Sequence, residues 1–182
     1  LTVIAIIGVL AGILVPTVIV AKRRAQEAKA KTEISSIVAA LKAYRQQYNK
    51  LPTALAANGA VPTTKVDYEK FMIMLGGNFD SNNAANAALK KANPRKTKFL
   101  TPRPKATVTA AGVTWDVAAW LDPWERPYCI SMDDNYDHQT AVNAETLSGD
   151  VFVFSLGVDG ASDAAEDNDK GTNRDNVTSW AK

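Results

Sequence analysis

The sequence predicts an α+β fold in which one long N-terminal helix, apolar in its first half and amphipathic in its second, packs on a C-terminal antiparallel β-sheet. Two observations predict the helix: a charge-free start, and apolar residues spaced by three and four up to Tyr48. A third predicts the sheet: short runs of β-formers fill the last third of the chain.

Residues 1–21 contain no charge, and Thr2 and Thr17 are their only polar side chains. A bilayer core takes about 20 predominantly apolar residues as helix, so this stretch suits a membrane span or the core of a protein bundle. It is longer than the roughly 7–15-residue apolar region of a signal peptide and lacks a basic start. Gly8 and Gly12 form a G-x-x-x-G that permits close helix–helix approach. Pro16 removes a backbone hydrogen bond and loosens the helix locally. Ile4, Ile7, Gly8, Gly12 and Pro16 are therefore the candidate residues of a packed helical core.

Residues 22–50 continue the helix. Lys22, Arg23 and Arg24 end the apolar run, and by charge alone they place the remainder of the chain in the cytoplasm. Ile34, Ile37, Val38, Leu41, Tyr44 and Tyr48 define one face, with Lys31, Glu33, Ser35, Lys42 and Gln46 opposite. A helix ending near Asn49 is roughly 70 Å long at 1.5 Å per residue. Pro52 stops it, because the residue before a proline avoids the helical region.

Residues 51–182 form the globular part, with a loop-rich insertion at 61–105. Residues 68–75 are a short apolar helix or strand, and 76–86 a polar loop. Lys90, Lys91, Arg95, Lys96, Lys98, Arg103 and Lys105, broken by three prolines, read first as a solvated surface, and otherwise as a patch that meets an acidic surface on a neighbouring subunit, or DNA. Strands are expected at 107–109, 113–117, 128–131 and, most clearly, VFVFS at 151–155.

The 182-residue chain has a formal net charge of +2, so no global field argues for nucleic acid, which is not expected as a partner. Cys129 and His138 are single, so no cysteine–histidine pair with a second base and no zinc cluster can be assembled, and an enzyme is not expected. Trp115, Trp120, Trp124 and Trp180 read as packing residues. The acidic tail, with Asp159, Asp163, Glu166, Asp167, Asp169 and Asp175 around Gly157 and Gly160, is the leading candidate for a hard cation. Asp133, Asn135 and Asp137 match the start of a calcium loop, but His138 replaces its glycine and Ala144 its closing glutamate, so a polar turn competes. Asn176-Val177-Thr178 fits a glycosylation sequon.

The start LTVIAIIGVLAGILVPTVIVAKRRA resembles the N-terminal helix of type IV pilins and pseudopilins. YNKLPT (48–53) is similar to the helix end of the major pseudopilins of type II secretion, and LDPWERPY (121–128), FSLGVDG (154–160) and SW (179–180) resemble their C-terminal half. The resemblance implies that the sequence begins inside the stretch exposed by prepilin peptidase, so the family's N-terminal glutamate has no counterpart here. Glu125 and Arg126 stand where that family has Gly-Asn, which implies a turn without positive φ.

The resemblance further implies a pilin-like fold and a non-enzymatic subunit of a helical homopolymer, held in the inner membrane until assembly machinery moves it into a periplasmic or extracellular filament. It puts the domain outside the cytoplasm, against the charge reading of residues 22–24. It implies a calcium ion in the last loop, bound by the Leu156 carbonyl, Asp159 and Asp175, with Asp167 and Asp169 as weaker matches. A secretion pseudopilus, a surface pilus and a non-polymerising membrane-tethered binding module are the three readings carried forward.

Overall fold

The structure is a computed structural model that describes residues 2–56, 65–80, 82–101, 107–110, 113–116 and 120–180, excluding the side chains of 2, 4–16, 54, 65, 107–110 and 113–116. It is an α+β molecule. Helix α1 (Thr2–Tyr48) runs unbroken, and Asn49 ends it at φ 53°, a left-handed cap that asparagine tolerates. Among the described residues no helix is long and apolar enough to cross a membrane. The side chains of Ile4, Ile7, Gly8, Gly12 and Pro16 lie outside the described set, so the packed-core residues are placed on the helix backbone only.

Residues 68–75 belong to helix α2 (Lys65–Gly76), which settles the choice between helix and strand. Helix α3 (Ala87–Ala92) is a correction: Lys90 and Lys91 lie on it, where irregular chain was expected. The helix stops at Asn93, whose side chain donates to the Met74 and Thr97 carbonyls and accepts from the Thr97 amide.

Among the described residues every strand pairs antiparallel. β1 (Thr107–Ala110) and β2 (Val113–Asp116) form one hairpin, and β4 (Gln139–Val142) and β5 (Glu145–Ser148) another. The central sheet has the order β3 (Cys129–Met132), β6 (Val151–Ser155), β7 (Val177–Thr178). The β4–β5 hairpin and β7 were not foreseen in the sequence.

β6 is buried along its whole length because both faces are covered. Val151 and Val153 join Ile34, Ile37, Leu41 and Tyr44 of α1 in the main core, while Phe152 and Phe154 meet Trp180 and Val142 on the other side. The periodic face of α1 is buried as its spacing requires. Glu33 is the exception and corrects the outer-face expectation: it is 8% exposed and accepts a 2.5 Å hydrogen bond from the Tyr128 hydroxyl. Burial first, then Glu33, pushes the Tyr128 phenol far above its usual range.

Candidate functional site

Two surfaces carry the candidate chemistry: the free stretch of α1 and the loop after β6. On α1, residues 17–25 are all exposed, and among the described residues the first buried one is Ala30. Val18, Ile19 and Val20 are 60%, 63% and 51% exposed, a run of branched apolar side chains spread around the helix and left uncovered. The helix thus extends past the domain with its apolar residues uncovered, followed by the exposed cations Lys22, Arg23 and Arg24.

The loop after β6 turns through Gly157 and Gly160, at φ 65° and 69°. The Gly160 amide donates to the Leu156 carbonyl at 3.2 Å. One oxygen of Asp175 accepts the Val158 amide at 2.8 Å and the Asp159 amide at 3.2 Å, and Asp159 accepts the Ala161 amide at 2.9 Å. A Cβ on Gly157 would collide with the Asp175 carbonyl, so glycine is required by space as well as by φ.

The Asp175 carboxylate therefore holds the backbone of the turn that carries Leu156 and Asp159. Asp167 and Asp169 are not part of it: they sit with Glu145, ligand oxygens within 4.8 Å of one another. There Glu145 accepts the Asn168 amide and side chain, and Asp167 pairs with Lys170. Carboxylates are hard oxygen donors that suit a calcium ion. Among the described residues the groups of three with converging ligand atoms are Glu145, Asp167 and Asp169, and Asp133, His138 and Asp150, neither of which contains Asp159 or Asp175. Arg126, which sequence reasoning did not single out for this loop, donates to the Gly157 carbonyl at 2.9 Å and supplies positive charge beside it.

The turn containing Asp133, Asn135 and Asp137 is closed by its own backbone. Asp133 accepts the Tyr136 and His138 amides at 2.6 and 2.8 Å, and Asp137 accepts the Gln139 amide at 2.8 Å. Asp133 instead lies near His138 and Asp150, the second group within 4.8 Å. Asp150 pairs with Arg45 on α1 and meets His138 Nδ1 at 2.7 Å, which ties this turn to the helix. Burial pushes the Asp150 carboxyl up, but the His138 hydrogen bond and the Arg45 guanidinium outweigh it and hold it below 3.8.

The 121–127 turn also departs from expectation. Glu125 has φ 65°, so the turn does use positive φ without glycine. The cause is Asp122, whose carboxylate accepts the Trp124 and Arg126 amides at 2.9 and 2.8 Å while its other oxygen accepts the Ser155 hydroxyl at 2.6 Å. Those bonds fix the chain on either side of residue 125. Burial raises the Asp122 carboxyl, opposed by Ser155 and by the two amides.

Trp120, Trp124 and Trp180 pack against the cores, and the Trp115 side chain lies outside the described residues. Cys129 is half-buried, its thiol pushed up to about 12 by burial and then by Asp122. Lys90, Lys91, Arg95, Lys96 and Lys98 are exposed, while Arg103 and Lys105 lie outside the described set. No protein-family model, curated protein or solved structure matches the chain.

Proposed function

We propose that this chain is a non-enzymatic structural subunit of a helical filament of the type IV pilin class, most like a major pseudopilin of type II secretion. The observation that carries the reading is the uncovered apolar run Val18–Ile19–Val20 on a helix that extends past its domain. Large apolar surface exposed in this way needs a partner. The charge-free residues 1–21 supply the rest of that surface in sequence.

In this reading residues 1–21 rest in the inner membrane as a monomer and the assembly machinery draws them out. Apolar helix leaving lipid stays out of water by packing on copies of itself, gaining about 25 cal/mol per Å² of apolar surface buried. Head-to-tail contacts that do not close make an open helix, which is a filament. Gly8 and Gly12 allow close approach, and Pro16 gives a point where the helix can stretch. The outcome is a periplasmic or extracellular polymer. Calcium held by the Leu156 carbonyl, Asp159 and Asp175 orders the last loop.

A surface pilus is the second reading, favoured by the exposed cations Lys90 to Lys98, which suit a decorated outer face. A membrane-tethered module that never polymerises leaves the close-packing glycines unused. Electron microscopy of fibres sheared from producing cells, with the subunit identified by mass spectrometry, separates these. Long external fibres favour the pilus, short ones on overproduction favour the pseudopilus, and none under either condition rejects the filament reading.

A further inference from the structure

The charge of this chain is sorted along its sequence. Residues 81–115 carry seven lysines and arginines and no carboxylate, while residues 127–169 carry ten carboxylates and no lysine or arginine. The formal net charge of +2 hides this division.

The fold keeps the two sets apart. Helix α3 packs on the α1 side of the central sheet: Leu89 and Ala92 join Ile37, Leu41 and Tyr44 in the main core, and the Tyr44 hydroxyl donates to the Ala92 carbonyl at 2.6 Å. Lys90, Lys91, Arg95, Lys96 and Lys98 thus stand exposed beside the C-terminal end of α1. None of them enters an ion pair among the described residues, and Lys96 lies over the Phe79 ring at 5.7 Å. Of the carboxylates near that end of α1, Asp150 is held by Arg45, and Asp133 and Asp137 accept backbone amides.

The acidic set converges at another corner. Glu145 belongs to the β4–β5 hairpin, whose Val142 and Leu147 pack with Phe152 and Phe154 on the sheet face away from α1. Asp167 and Asp169 join Glu145 there. Asn173, fully buried, fastens their loop by donating through Nδ2 to the carbonyls of Asp163, Glu166 and Asp167. The residues that follow Asn173, Arg174 and Asp175, border a cleft with Arg23 and Glu27, where α1 enters the domain. From Glu27 to Tyr44 the helix rises roughly 25 Å. The acidic corner and the basic corner therefore lie at opposite ends of the domain and on opposite faces of the sheet.

Three carboxylates gathered around one cation, Lys170 on Asp167, repel one another, and so do the five cations beside α1. Each group is stabilised by the other's sign, but within one chain the sheet separates them. A second copy, displaced along α1, brings its acidic corner to the basic corner of the first.

We infer that the basic corner of one subunit docks on the acidic corner of the next copy, a head-to-tail contact between domains. The two surfaces differ, so each copy keeps one of them free for a further neighbour, and the contact propagates. This rests on the filament reading and names the surfaces by which its domains meet. Opposed charge of this kind fixes partner and register more than raw strength.

The test treats fibres sheared from cells producing the full chain with a carbodiimide, which joins a carboxylate directly to a touching lysine amine. Linked peptides are then mapped by mass spectrometry. Links from Lys90, Lys91 or Lys98 to Glu145, Asp167 or Asp169 are expected, and because one chain holds these groups apart, each link reports two copies. Lys90→Glu with Lys91→Glu, both exposed, lowers fibre yield about tenfold. Adding Asp163→Lys and Asp169→Lys to the same chain, which swaps the sign at both corners, restores yield to within about twofold of the parent. No fibres from the parent chain rejects the filament reading and this contact with it. Parent fibres without those links overturn the contact alone, as does a yield that reversal leaves unchanged or the swap leaves low. DNA held by parent fibres and released on charge reversal, with yield unchanged, gives the patch to nucleic acid instead.

Discussion

Glu125 shows how a single side chain can hide a turn. Its φ of 65° costs a non-glycine residue about 1–2 kcal/mol. The Asp122 carboxylate imposes that conformation through the amides on either side. Glu125→Gly is therefore expected to stabilise the fold by about 1 kcal/mol, read as a higher urea midpoint. Tyr128→Phe works in the opposite direction. It deprives the buried Glu33 carboxylate of its 2.5 Å donor, and a loss of about 2 kcal/mol is expected by the same measurement. Asp150 gives a pH signature. Its folded carboxyl lies below 3.8, so its contribution is present above that value and lost as pH falls through the folded value. Asp150→Asn should lower the midpoint near neutral pH and lose less on further acidification than the parent chain. Asp122 acts with the reverse sign: burial raises it above 3.8, so its contribution falls as pH rises through that window.

At the scale of elements, α1 was legible in detail. Ile34, Ile37, Leu41 and Tyr44 recur at helical spacing, and all are at most 1% exposed. Leu41→Ala should cost about 3 kcal/mol by denaturant titration, with little change in slope. Glu33 was misplaced because a helix pattern assigns faces by polarity and cannot foresee a buried hydroxyl partner 95 residues away. β6 was clear because five apolar or small residues stand between turns, but its neighbours were not. The β4–β5 hairpin turns through Asn143-Ala144, with Asn143 at φ 54°, and lacks the glycine that marks two-residue turns. β7 has only two residues and exists because β6 offers an edge.

The candidate loop was legible only in part. Asp175 bonds the backbone of the turn that carries Leu156 and Asp159, but Asp167 and Asp169 join Glu145, a partner that loop spacing cannot reveal. Gly157→Ala should destabilise this loop strongly, since both φ and the Asp175 carbonyl oppose a Cβ. If calcium orders it, chelator lowers the melting temperature of the parent chain, and Asp159→Asn removes that sensitivity. A melting temperature indifferent to chelator rejects the ion while leaving the filament reading standing.

For the whole molecule, a long helix is anchored in the domain by its second half, and its residues 17–25 are exposed. The domain holds α1 from Ala30 onward through the core, the Tyr128–Glu33 bond and the Arg45–Asp150 pair. Nothing in the described residues covers Val18, Ile19 and Val20, and the sequence before them has no charge. That division of labour, a folded domain carrying an apolar arm, is what a polymer with a helical core needs. It also predicts that assembly and domain folding respond separately to mutation.

The most direct test is a single charge in the arm. Ile7→Asp is introduced in producing cells, sheared and overproduced material is imaged by electron microscopy, and domain folding is followed by limited proteolysis. The account predicts abundant filaments from the parent chain and none from the variant, with the same protease-resistant domain in both. Filaments of normal abundance from the variant would contradict it.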